Sequence, residues 1–365
     1  MKTKITLIFI LIVFSHNLLG QNSLYNIFAK SSFTKTSETT FGEHSTYENS
    51  IVISNFNKLL KYSGCTLFIG INPVFVNLSD YSKVGVLFSN QLKINPSLRI
   101  QRKNIFVSIG YKYSILSIKT KDYPGSWTFL LPPSKIFEQG VFIDAGIQLK
   151  LKENQYLEFS LGYEKLKYKQ IIEQIPDPII DYTQQDYFFK IQTLSSNIKF
   201  SKIRLLNSNE IQQKPWMFFL NSQLYKRKDT IYNNISFETK SRLYFGKFVT
   251  NKATFTTEMS YGYKKYDKTF SERFLLIEPE LKYLFYKSFF TGVSYEFGFF
   301  KTNEKYLVQS FSASVGNYLK LTNNSILETK MFYSYETLLV GKYQPEYGNQ
   351  INNRIGFILR SLVLF

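Results

Sequence analysis

The chain has 365 residues, with 45 Lys+Arg against 27 Asp+Glu, one Cys and an aromatic share of 18%. Its 35 Phe and 27 Tyr exclude an intrinsically disordered chain, which rests on low hydrophobicity and few aromatics. Cys65 has no partner within the sequence, so an internal disulfide scaffold is excluded as well.

Residues 1–20 read as an export signal and residues 21–365 as a single domain. Lys2 and Lys4 make a basic start, residues 5–14 are almost wholly apolar, and Gly20 offers a cleavage site. The apolar run falls short of the ~20 residues that cross a bilayer as a helix. No run of about 18 apolar residues follows it, which excludes a helical membrane protein. An exported soluble β-protein or a membrane barrel remains.

Period-two alternation dominates the rest of the chain. Val141, Ile143, Ala145, Ile147 and Leu149 alternate with Asp144, Gly146 and Gln148, with Phe142 the exception. Leu157, Phe159, Leu161 and Tyr163 alternate with Glu158, Ser160, Gly162 and Glu164. Val293, Tyr295, Phe297 and Phe299 face away from Ser294, Glu296 and Gly298. A strand with one wet and one apolar face has this period. The runs exceed the ~5–6 residues of a globular strand and suit the ~9–11 of a tilted membrane strand.

Short polar links fall at 102–104, 152–154, 250–252, 286–288 and 322–324. Longer links lie roughly at 119–138, 168–186, 226–234, 266–272, 300–306 and 340–352. Strict alternation of short and long links predicts an all-β, transmembrane, up-and-down antiparallel β-barrel. About sixteen strands are expected, with fourteen the alternative count: 23–36, 47–57, 65–76, 85–101, 105–118, 139–151, 155–168, 187–205, 215–226, 233–249, 252–265, 273–286, 289–300, 306–321, 325–339 and 353–365.

In the last of these, Phe357, Leu359, Val363 and Phe365 occupy alternate positions, with Ser361 in place of an apolar residue. This strand resembles the closing strand of Gram-negative outer-membrane β-barrels, the porin-like proteins. The resemblance covers signal, alternation and terminus, and it specifies no subfamily. It implies that the barrel-assembly machinery recognises Phe357, Leu359, Val363 and Phe365. It further implies a chain set among outer-membrane lipids and lipopolysaccharide, with both termini periplasmic and the long loops extracellular. Tyr111, Tyr113, Tyr163, Tyr261 and Tyr263 then suit the interfacial girdles.

The parity opposite the apolar one assigns Lys112, Asp144, Glu158, Glu238, Lys240, Arg242, Glu258, Lys264, Glu278, Glu280, Glu296 and Arg360 to the lumen. Counting from the turn at Asn251 places 264 opposite 238 and 258 diagonal to 242. The ion pairs Glu238–Lys264 and Arg242–Glu258 follow. Counting from Lys287 places 278 opposite 296, with Glu280 one step away. A mixed-charge wall tunes selectivity in a water-filled pore. The carboxylates could instead bind a cation or crowd one another, and a solvated polar lining is the plainer alternative. A slip of one residue would reverse every assignment.

Catalysis has little basis. His44, in an expected outer loop, is the one His after the signal. No G-x-S-x-G run or His/Cys set for zinc occurs, and no metal or cofactor is expected. Glu173, Asp177, Asp181 and Asp186 are hard oxygen ligands, but their spacing matches no calcium loop. The apolar loops 119–138 and 168–186 would cap the barrel or present a surface to a partner complex. Lys and Arg are scattered along strands, which excludes nucleic acid. The expected function is a passive channel or transporter for small solutes. A non-conducting barrel serving a surface or secretion complex is the alternative, and an outer-membrane enzyme comes third.

Overall fold

The computed structural model describes residues 23–38, 42–81, 85–122, 134–172, 179–196, 203–207, 210, 213, 215–229, 235–265, 271–301, 305–340 and 350–365. The expected signal, residues 1–20, lies outside them. The chain begins with β1 (Ser23–Glu38), β2 (Gly42–Tyr62), β3 (Cys65–Ile71), β4 (Val74–Tyr81), β5 (Gly85–Ile94) and β6 (Pro96–Arg102). It continues with β7 (Ile105–Asp122), β8 (Ser134–Lys152), β9 (Gln155–Ile172), β10 (Ile179–Ser196) and the two-residue β11 (Arg204–Leu205). It ends with β12 (Trp216–Asp229), β13 (Ile235–Phe248), β14 (Ala253–Lys265), β15 (Ser271–Tyr286), β16 (Phe289–Lys301), β17 (Lys305–Thr322), β18 (Ser325–Val340) and β19 (Gln350–Leu364).

Every pairing is antiparallel within one sheet. β3 and β4 both pair with β2, and β5 and β6 both pair with β7, so each duo forms one kinked stave. Pro73 and Pro96 sit at the two kinks, where a missing N–H interrupts a ladder. β11 lies off the wall, against β17. Among the described residues sixteen staves therefore surround the interior, the expected number. β1 and β19 close the ring from Phe28↔Arg360 to Ser37↔Ile351. The tight turns gather at one end with Ser23 and Phe365. One of them, Ser63-Gly64, takes positive φ at both residues (47° and 77°), the I′ geometry that suits the strand twist.

The alternation read from the sequence becomes an inside-out protein. Outward Leu161 and Phe311 are 66% and 67% exposed, whereas inward Lys282 and Glu328 are 0% exposed. Water favours the opposite arrangement. A hydrocarbon surround favours this one, because a closed ladder leaves no backbone group unpaired against lipid. Tyr111, Tyr113 and Tyr261 stand on the exposed face.

Partners change at the turn end. β10 leaves β12 after Gln192↔Asn221, and β1 leaves β19 after Phe28↔Arg360. Beyond those points β1 pairs with β10 (Leu24↔Ser196, Tyr25↔Ser195), and β12 pairs with β19 (Met217↔Leu364, Phe218↔Val363). One ring of sixteen at the loop end thus becomes two closed rings of eight at the turn end. Lobe 1 runs from β1 to β10 and lobe 2 from β12 to β19. Eight strands leave room for side chains or one small ligand.

Three expectations need correction. The strand placed at 187–205 leaves the wall at Ser196, where β1 becomes its last partner, and the chain re-enters as β11 against β17. The second strand begins at Gly42, so His44 lies in β2 opposite Thr36 and not in an outer loop. The longest links are also shorter than expected, since β7 to β10 extend to Asp122, Ser134, Ile172 and Ile179. Residues 123–133 and 173–178 lie outside the described residues, and with them Glu173 and Asp177.

Candidate functional site

Lobe 2 holds a cavity of about 510 Å³. Its wall is laid down by strand register. Across β14, β15, β17, β18 and β19 the ladders give Glu258↔Glu278, Ser310↔Glu336 and Glu336↔Asn352. On β16, Glu296 lies opposite Ser310. The β15–β16 ladder pairs Ile277 with Phe297 and Glu280 with Ser294, so the positions between bring Glu278 to Glu296. Pro279, with no N–H to give, interrupts that ladder at this point. Four glutamates therefore share one row around the cavity.

Two of the four are neutralised. Glu258 meets Arg242 at 3.1 Å and Arg360 at 2.5 Å. Glu336 meets Arg354 at 3.2 Å and accepts a hydrogen bond from Asn352 Nδ2 at 2.8 Å. Glu278 accepts from Ser294 Oγ at 2.7 Å and has Lys330 only at 3.7 Å. Among the described residues no side chain or backbone group donates to the carboxylate of Glu296, which lines the cavity.

Below this row lies a floor. Lys282 Nζ bonds Glu328 and lies 3.3 Å from Glu280, and it donates to the Tyr244 and Tyr318 hydroxyls at 3.1 and 3.2 Å. Lys330 meets Glu280 at 3.1 Å, and Arg360 meets Glu328 at 2.5 Å. Nearer the turns the filling is apolar: Met217, Phe219, Phe248, Leu284, Phe290, Ile326, Leu362 and Leu364 pack with Leu206. Leu206 arrives from the β10–β12 connection and is fixed by its N–H, which donates to the Tyr318 carbonyl at 3.1 Å. Outside this plug, Glu210 accepts from Arg204 at 2.7 Å and from Lys320. Partial burial would raise the Glu210 carboxyl, but those cations and the Asn207 N–H hold it at about 2.

Lobe 1 is filled differently. Arg99, 0% exposed, lies 3.5 Å from the Phe106 ring centre and 5.0 Å from that of Phe56. It meets Glu158 at 2.8 Å. Gln148 and Gln192 donate to the same carboxylate at 2.9 and 3.0 Å. Leu24, Phe56, Phe68 and Leu194 close the turn end.

The other residues assigned to the lumen fall into both lobes. Lys112 bonds Glu164, and Asp144 lies opposite Ser108, both in lobe 1. Glu238 lies opposite Lys264 in the ladder, and its carboxylate contacts Lys240 at 2.6 Å and Arg227 at 3.0 Å. Arg227 also meets Asp186 of β10 at 3.3 Å, which joins the lobes above the partner exchange. The sequence reading passed over Arg99, Glu328, Lys330, Glu336 and Arg354. The parity of β18 carried a signal for three of them, since Glu328, Lys330 and Glu336 alternate with outward Met331, Tyr333 and Tyr335. At the closing strand, Phe357 faces outward, while Val363 is buried against β12 and β18 at the partner exchange.

The closed sixteen-stave ladder and its apolar outer face define the class: the chain folds as a membrane-spanning antiparallel β-barrel. No protein-family model matches the sequence, and no curated protein matches it. Among solved structures, CdiB from Acinetobacter baumannii is similar at a TM-score of 0.48 and 7% identity, over 91% of this chain and 60% of CdiB. The chain thus spans less than two thirds of CdiB. OpdQ from Pseudomonas aeruginosa has a TM-score of 0.34 at 7% identity, over 94% of this chain and 99% of its own. The TodX monoaromatic hydrocarbon channel, in a mutant form, has 0.38 at 8%, over 95% and 91%.

Proposed function

We propose that the protein is a selective conduit for small solutes, shut at its turn end in this conformation. The turn end and both termini face the periplasm, the loops face outward among lipopolysaccharide, and the last strand carries Phe357, Leu359, Val363 and Phe365 to the assembly machinery. The observation that carries the reading is a cavity of about 510 Å³ with a mixed-charge wall, above a packed floor. Cavities of roughly 300–1,000 Å³ suit small ligands. A wide, permanently wet pore would need no floor. The role is non-catalytic.

Planar-bilayer recording tests it. The wild-type protein should conduct little. Leu206→Ala with Phe290→Ala should give stepwise conductance, because both side chains fill the floor of lobe 2. A large steady wild-type conductance would refute the shut floor. Silence from the floor variant would favour the second reading, a non-conducting barrel that serves a surface or secretion complex. The filling of both lobes at the turn end is what speaks for that alternative.

A further inference from the structure

The carboxylates of the lobe 2 cavity are unevenly matched by cations. Glu258 meets Arg242 and Arg360, Glu336 meets Arg354, Lys240 contacts Glu238 at 2.6 Å and Lys330 contacts Glu280 at 3.1 Å. Glu278 has Lys330 only at 3.7 Å. Among the described residues no cation lies within 4 Å of the Glu296 carboxylate, which lines the cavity.

The next layer has the opposite character. One register step toward the loops, two residues or about 6.6 Å along the strands, the row reads Leu276↔Gly298↔Val308. One step further Phe274 and Phe300 are paired, with ring centres 5.3 Å apart. A bare carboxylate therefore lies beneath an apolar shelf, inside one cavity. An inorganic ion would satisfy the charge and leave the shelf unused. An anion would meet the Glu296 and Glu278 carboxylates, while Lys240 is engaged with Glu238 and Lys330 with Glu280.

We infer that this juxtaposition is a binding site for a small organic ammonium with an apolar body, its nitrogen at Glu296 and Glu278 and its body against Leu276, Phe274 and Phe300. The inference rests on the proposed solute conduit and names the solute class. Glu296 contributes the larger share of recognition. Glu278 already accepts a bond from Ser294 and gives up less.

Calorimetric titration of the full chain in detergent tests the site with three probes of matched shape: 2-phenylethylammonium, 2-phenylethanol and phenylacetate. The ammonium should bind, and the neutral and anionic probes should not. Glu296→Gln should weaken ammonium binding roughly tenfold or more, the worth of one ion pair in a shielded site. Glu278→Gln should weaken it less, and Asp144→Asn in lobe 1 should leave it unchanged. Heat-modifiable gel migration establishes that each variant has folded.

Equal binding of the neutral or anionic probe overturns the inference, as does an unaltered affinity in Glu296→Gln. Failure of all three probes while the Leu206/Phe290 floor variant conducts also overturns it, and leaves the conduit standing. Ammonium binding while that variant stays silent keeps the site and removes the conduit.

Discussion

The two lobes are rings of the same size, closed by the same exchange of strand partners, yet they are filled by different means. Lobe 1 is stopped by a small apolar cluster under one guanidinium between two aromatic rings, with the Glu158 carboxylate held by Arg99, Gln148 and Gln192. Lobe 2 is stopped by an apolar stack that includes a residue from the β10–β12 connection, under a network of cations and carboxylates. Ring size therefore dictates that the interior be filled, and leaves the chemistry of the filling open. The consequence shows one layer higher. In lobe 2 a cavity lies above the ionic floor, and among the described residues its Glu296 carboxylate has no cation within 4 Å.

That contrast can be broken by substitution. The largest effect is expected from Arg360→Ala, which removes one of the two cations on Glu328 and one of the two on Glu258. Removing one member of a buried ion network costs about 3–5 kcal/mol. Urea unfolding in lipid vesicles should show that loss. Arg99→Ala should cost less, about 2–3 kcal/mol, because two glutamine amides remain on Glu158. If Arg99→Ala proves the costlier change, partner number is not what separates the lobes.

The smallest effect concerns the connection that supplies Leu206. Glu210 has its carboxyl held at about 2, below its ordinary value of 4.5. Its stabilising contribution is therefore complete above about pH 4.5 and is lost as pH falls through about 2. Arg204 is half-exposed, so the contribution is roughly 0–1 kcal/mol. Glu210→Gln should flatten the stability profile of lobe 2 between pH 4.5 and 2. An unchanged profile would detach the connection from the stability of the plug.

Much of the wall was legible because its signals are local. Leu161 and Val293 point outward and Glu158 and Glu296 inward through the period of two alone. The tight turns at Asn251 and Lys287 anchored register well enough to bring Arg242 to Glu258 and Glu278 to Glu296. Arg99 was missed because it lies on a kinked stave, where Asn95-Pro96 interrupts the run. Val363 and Ser361 follow the outward parity and were read as facing the surround. Both are buried, because β19 gains β12 as a neighbour at the turn end.

What the sequence determined by itself is an inside-out barrel of about sixteen strands. Side-chain direction in a strand depends only on residue parity, and turn positions depend on nearby residues. The tertiary structure alone decided that the ring divides into two lobes. Tyr25 can pair with β10 or β19 without changing which way any side chain points, so no local pattern records the choice. That choice places Leu206 under lobe 2 and shuts the turn end beneath the cavity that Glu296 lines.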